Sequence, residues 1–222
     1  MMRIALYWAP EVTDPLHARA SAWLGRDAET GATLPQPAVL GIAEATAEPR
    51  LYGFHATLKA PFRLATGYEE ARAAAGFLAE RTAPFTLPPL VLRDLRGFLA
   101  LIEREPSPAL AAFADDCVRT LDPHRAPLAA EEIARRRPER LSERQRVNLE
   151  AWGYHLVFED FQYHATLTGR LTEDQRAVME PAAASFFGDL PAAPRAVREL
   201  CLFTQAEPGA PFLIAERLPL RG

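Results

Sequence analysis

Hydrophobic and polar positions along the chain follow two rhythms, one of short apolar runs and one of helical stripes. Arg3 to Trp8 (RIALYW) is a short apolar and aromatic run stopped by Pro10, which predicts a strand. His17 to Leu24 reads as a short helix. Residues 25–50 scatter Gly, Pro and Thr without a period and read as loop. Tyr52 to Leu58 is expected as a second strand. Glu69 to Arg81 (EEARAAAGFLAER) combines strong helix formers with an acidic first turn, and so predicts a helix. Leu90 to Glu103 reads as two strands turning near Gly97. From Pro108 to Leu121 the apolar residues Leu110, Phe113, Cys117, Val118 and Leu121 fall on one helical stripe.

Residues 123–150 break this pattern. They are polar, rich in arginine and helical in character, interrupted at Pro138, and read as a connector between two halves. The Arg135-Arg136-Arg137 run is expected to be a solvated helix face, with an anion-attracting lid as the functional alternative. Strand signals return at Tyr154 to Phe158 and Phe161 to Arg170, on either side of Glu159-Asp160. Thr172 to Phe187 reads as a helix with Thr172 as its N-cap. Arg195 to Gln205 and Phe212 to Leu218 are the last expected strands. Helices interleaved with short, often hairpin-connected strands predict an α+β fold with antiparallel sheets in two lobes. The chain is expected to be one bilobal domain over 1–222, with halves of roughly 1–122 and 151–222. There is no glycine loop of dinucleotide-binding or P-loop type.

Composition narrows the partners. The 222 residues carry a formal net charge of −4, so broad electrostatic binding to long nucleic acid is not expected. No run approaches the ~20 apolar residues of a membrane span, and no targeting segment is visible, so a cytoplasmic monomer or weak dimer is expected. Cys117 and Cys201 are too few for a disulfide framework and sit in apolar patterns, which reads as core. Of the 25 basic residues, Lys59 is the one lysine. In so arginine-biased a chain, it hints at a site that wants a compact ammonium group.

An internal repeat carries the chemistry. Residues 52–58 are Tyr-Gly-Phe-His-Ala-Thr-Leu, and residues 161–167 are Phe-Gln-Tyr-His-Ala-Thr-Leu. The copies lie 109 residues apart in a chain with five histidines, which argues for internal duplication. On strands, side chains alternate faces. His55, Thr57 and Lys59 then share one face, and His164, Thr166, Thr168 and Arg170 another. An imidazole can move a proton near neutral pH, while hydroxyls and cations can hold phosphoryl oxygens. Two copies supply an acid, a base and a phosphate clamp, enough to split a phosphodiester without metal. Neither copy has a second ligand at metal-binding spacing, so no metal or other cofactor is expected. His17, His124 and His155 are isolated and read as structural.

The two His-x-Thr motifs, one in each half, resemble the signature of the two-histidine (2H) phosphoesterase superfamily. Longer stretches (RIALYWAP, YGFHATLKAPFRL, the RRR…LSERQ…LEAWGY connector and FQYHATLTGRL) are similar to a bacterial branch named for phosphonate metabolism. His155 stands where that branch would have proline. The resemblance implies two α+β lobes with the motifs lining a central cleft. It also implies His55 and His164 as the catalytic pair, and Thr57 and Thr166 as phosphate-binding hydroxyls. Lys59 is added from its place on the same face. Arg170 and, more weakly, Arg63 are further candidates, and Tyr7 on the first strand could stack on a base or sugar. The expected activity is hydrolysis of a small cyclic phosphate or 2′-5′ type diester on a ribose. The alternative is a non-catalytic module that binds a phosphorylated sugar or nucleotide.

Overall fold

The computed structural model describes residues 2–222. In chain order the strands are β1 (Arg3–Trp8), β2 (Ala56–Arg63), β3 (Phe85–Leu87), β4 (Leu90–Asp94), β5 (Leu99–Glu103), β6 (Ala165–Thr166), β7 (Arg195–Val197), β8 (Glu199–Gln205) and β9 (Leu213–Pro219). The helices are α1 (Pro15–Leu24), α2 (Ile42–Ala45), α3 (Ala47–Tyr52), α4 (Tyr68–Arg81), α5 (Pro108–Leu121), α6 (Ala130–Arg135), α7 (Glu143–Trp152) and α8 (Glu173–Phe187). The architecture is α+β, and every strand pairing is antiparallel.

The strands do not form one sheet per half of the sequence. Seven of them make a continuous sheet in the order β4-β5-β6-β2-β1-β8-β9, while β3 and β7 pair separately. The short β6, from the second repeat, is inserted between β5 and β2 of the first half. Conversely, β8 and β9 extend the sheet beyond β1. The expected two separate sheets are thus replaced by two arms that meet where β2 bonds to β6.

Helix termini follow local chemistry. Asp14 caps α1 and Ser107 caps α5, each accepting a backbone N–H, and proline opens both helices. Thr172 and Gln175 form a reciprocal capping box at the start of α8. The apolar stripe of α5 is buried as its spacing predicts, and the helix packs on β2. On the same side of the sheet Trp8 lies between Phe54 and Tyr163, with ring centroids 6.5 and 5.7 Å away. The second aromatic of each repeat therefore anchors its histidine from behind.

Several expected elements differ. Residues 25–50, read as loop, contain α2 and most of α3, so Tyr52 ends a helix instead of starting a strand. The expected strands around Glu159-Asp160 reduce to β6, because Phe158–Asp160 forms a 3-10 turn and Phe158 takes a positive φ of 55°. Arg195 to Gln205 splits into β7 and β8, which join different sheets.

Candidate active site

The two repeats meet at one register pair. Ala56 of β2 is opposite Ala165 of β6 in antiparallel sense. That register sets His55 across from Thr166 and Thr57 across from His164. With period-two alternation both alanines face the core, where they are fully buried, and the four polar side chains share the other face. A cavity of about 340 Å³ opens on that face, bordered by His55, Thr57, His164 and Thr166. Its size is in the range of small-molecule sites.

Both imidazoles are held in the same way. His55 Nδ1 lies 2.9 Å from the Gly53 carbonyl, and His164 Nδ1 lies 2.8 Å from the Gln162 carbonyl. A carbonyl can only accept, so each Nδ1 carries the hydrogen and each neutral ring presents a bare Nε2. Gly53 takes a positive φ of 77°, which favours glycine at that position. A side chain at Gly53 would also collide with the Cβ of Ala28.

The two rings differ in surroundings. His55 lies under Tyr7, stacked at a centroid separation of 3.8 Å, with Tyr52 and Phe203 each 6.0 Å away. Burial pushes its pKa down to about 4 against the Gly53 hydrogen bond, and the charge of nearby His164 adds to the lowering. His164 meets only the edge of Phe98, at 6.1 Å. One imidazole is thus kept neutral, and the other sits in a more open pocket wall.

The remaining candidates from the sequence separate. Arg170 borders the cavity, exposed, with Nη1 donating to the Arg96 carbonyl at 3.3 Å. Thr168 also borders it, but its Oγ1 accepts from Leu99 N–H at 2.9 Å and is used structurally. Tyr7 borders the cavity but is 1% exposed, and its ring face is covered by His55, so it does not offer a stacking surface to a base or sugar.

Lys59 does not reach the cavity. Tyr7 pairs with Thr57 while Leu6 pairs with Lys59, so Leu58 is one residue too many and forms a β-bulge. The bulge breaks the alternation that would have kept Lys59 on the histidine face. Its ammonium is buried on the other side, donating to Asp122 Oδ1 at 2.8 Å and the Val118 carbonyl at 3.2 Å. Burial pushes its pKa down and Asp122 opposes the shift. Arg63 likewise turns away, to Glu132 and the Pro127 carbonyl.

Other groups in the wall are not singled out by the sequence as site residues. Arg3 comes from the start of β1, Tyr52 from the end of α3, Arg136 from the connector and Tyr154 from the segment just after α7. The Arg135-Arg136-Arg137 run gave a sequence signal through its reading as a lid, and Tyr52 through its place at the head of the first repeat. No group of three or more His, Cys, Asp or Glu comes together among the described residues.

Residues 57–213 match the family model described as "Protein of unknown function (DUF1045)". The chain belongs to the DUF1045 family. Curated relatives include a protein of Janthinobacterium sp. (strain Marseille) named "Ribose 1,5-bisphosphate phosphokinase PhnN", 36% identical over 234 residues, covering 100% of this chain and 51% of the relative. A protein of the same name from Laribacter hongkongensis (strain HLHK9) is 38% identical over 216 residues, covering 95% of this chain and 50% of the relative. The chain spans about half the length of these relatives. Among solved structures, E. coli LigT complexed with 3′-AMP is similar with a TM-score of 0.48 and 17% identity, covering 100% of this chain and 99% of that one. A structure described as a phosphoesterase has a TM-score of 0.46 and 16% identity, with both chains fully covered. No helix among the described residues is long and apolar enough to cross a membrane.

Proposed function

We propose that the protein is a metal-independent 2H-type phosphodiesterase that opens a small cyclic phosphate, or cleaves a 2′-5′ type diester, on a ribose. The observation that carries this reading is the pair of imidazoles on one cavity face, each fixed by its Nδ1 to the carbonyl two residues earlier. Both present Nε2, and each lies in register with the threonine of the other motif.

The chemistry follows from this asymmetric pair. His55, held neutral by its surroundings, takes the proton of a water through Nε2 as the water oxygen attacks phosphorus. His164, in its protonated form, gives its Nε2 proton to the ester oxygen as the phosphorus–oxygen bond breaks. The products are a phosphate monoester and an alcohol, and proton exchange with solvent restores both rings. Hydroxyls of Thr57 and Thr166 hold the non-bridging oxygens, where charge accumulates in the crowded five-coordinate state. The name of the curated relatives supports a phosphorylated ribose as the substrate and a role in phosphonate metabolism.

The test is turnover of 2′,3′-cyclic nucleotides, 2′-5′ dinucleotides and ribose cyclic phosphates by the wild type, H55N and H164N. Each variant is expected to lose at least ~10²-fold in kcat while keeping its melting temperature and its affinity for the monoester product. Near-normal activity in either variant would overturn the acid–base pair. If the wild type binds these compounds but turns none of them over, the cavity is a binding module.

A further inference from the structure

The cavity wall carries more positive charge than one phosphodiester needs. Arg3, Arg136 and Arg170 border it, and none has a carboxylate within 4.0 Å among the described residues. The bordering acid, Glu48, lies next to Gly169. Among the bordering residues three are arginines and one is an acid, so the wall is positive on balance.

Both of those guanidinium groups are held in place without being neutralised. Arg3 Nε donates to Gln205 Oε1 at 2.7 Å, and its guanidinium lies 5.5 Å from the centre of the Phe212 ring. Arg136 lies 4.9 Å over the ring of Tyr154. Neutral and aromatic partners fix geometry and leave terminal N–H donors and full charge for a ligand. Arg3 is on the same face of β1 as Tyr7, four residues away, or ~13 Å along the strand, a gap its own side chain shortens. Arg3 and Arg136 both border the cavity that Tyr7 and His55 border, and their charges oppose the larger upward push of burial on the Tyr7 hydroxyl.

We infer that Arg3 and Arg136 form a second anion subsite, and that the substrate is a cyclic phosphate diester that also carries a phosphate monoester. This inference rests on the reading of the two histidines as the diester site and names what the rest of the cavity recognises. The diester sits between His55 and His164, and the monoester is clamped by the two guanidinium groups. Arg136 is brought there by the end of α6, so the connector completes the subsite by folding over the cleft.

The experiment compares product-like ligands by calorimetry at fixed ionic strength: adenosine 2′-monophosphate and adenosine 2′,5′-bisphosphate. The wild type is expected to bind the bisphosphate at least ~10-fold more tightly, with a preference that shrinks as salt rises. In R3Q and R136Q the ratio of the two affinities should fall at least ~3-fold, and in the double variant it should approach one. Because the readout is a ratio within each protein, a poorly folded variant loses both ligands and is recognised as such. R3K and R136K then serve in place of the glutamine variants, and should lower the ratio part-way. Equal affinities in the wild type, or a preference that survives the double substitution, would overturn the subsite. Turnover separates the two readings: 5′-phosphorylated adenosine 2′,3′-cyclic phosphate should be opened with a higher kcat/KM than the unphosphorylated compound. A bisphosphate preference in an enzyme that opens neither compound would support the subsite and remove the catalytic reading.

Discussion

His55 pays for its place under Tyr7 with a reluctance to accept a proton, and this has two measurable consequences. Its folded pKa of about 4 lies below the ordinary imidazole value of 6.5. Between those values the unfolded chain binds more protons than the folded one, so stability falls as pH drops from 6.5 towards 4. The limit of the effect is on the order of 3 kcal/mol. His155, pushed down by burial and then by Arg136, acts in the same direction. Urea midpoints at pH 7 and 4.5 should show the loss, and H55Q should reduce it. The kinetic counterpart is an acid limb of kcat/KM near pH 4, lower than two ordinary imidazoles would give, with the alkaline limb set by the coupled pair. Tyr7→Ala opens His55 to water and should move that acid limb upward, whereas Tyr7→Phe keeps the stacked ring and should leave it in place.

Two devices at the scale of elements set the site. The bulge at Leu58 turns Lys59 inward, where its ion pair with Asp122 ties β2 to the end of α5. Asp122→Ala would leave a buried ammonium uncompensated and should cost about 3 kcal/mol by urea denaturation. Lys59→Met removes the charge from an apolar site and should cost far less. Since Lys59 is outside the cavity, inhibition by phosphate should not change in Lys59→Met. A weakened inhibition would return Lys59 to the site. The second device is Gly53. Gly53→Ala meets both a positive φ and the Ala28 side chain, and should cost about 2 kcal/mol or more. Adding Ala28→Gly should relieve only the collision, so a partial recovery of the melting temperature is expected.

For the whole molecule, the pair of histidines exists only once residues 109 apart in sequence have met at Ala56 and Ala165. Each half supplies strands to both arms of the sheet, so neither half alone contains the cavity. The connector closes the arrangement by bringing Arg136 to the wall, where Tyr154, just after α7, lies under it. Proton transfer between fixed imidazoles needs no Lewis acid, so EDTA should leave the rate unchanged. Loss of activity with chelator and recovery with added zinc or manganese would contradict the proposed mechanism. Sulfate or phosphate should compete with substrate for the threonine hydroxyls and the unpaired arginines.

The repeat, the face shared by each histidine and threonine, and the helices α4, α5 and α8 were legible because they rest on local chemistry: alternation, helical spacing and end-capping. Tertiary structure decided what local pattern could not. Strand alternation holds only while the register holds, and the extra residue at Leu58 comes from pairing with β1, a partner some fifty positions away. Lys59 therefore read as a site residue and folded into a structural ion pair. Tyr7 read as a platform for substrate and became the cover of His55, because β1 lies beside β2 with Tyr7 opposite Thr57. The expected strand over 161–170 shortened to β6, since positive φ at Phe158 and the turn that follows reflect how the connector returns to the sheet. Arg3 is not singled out by the sequence as a site residue, and Arg136 only within an arginine run whose functional alternative is a lid. Their convergence comes from the sheet order and the path of the connector, which bring the start of the chain and its middle to one wall.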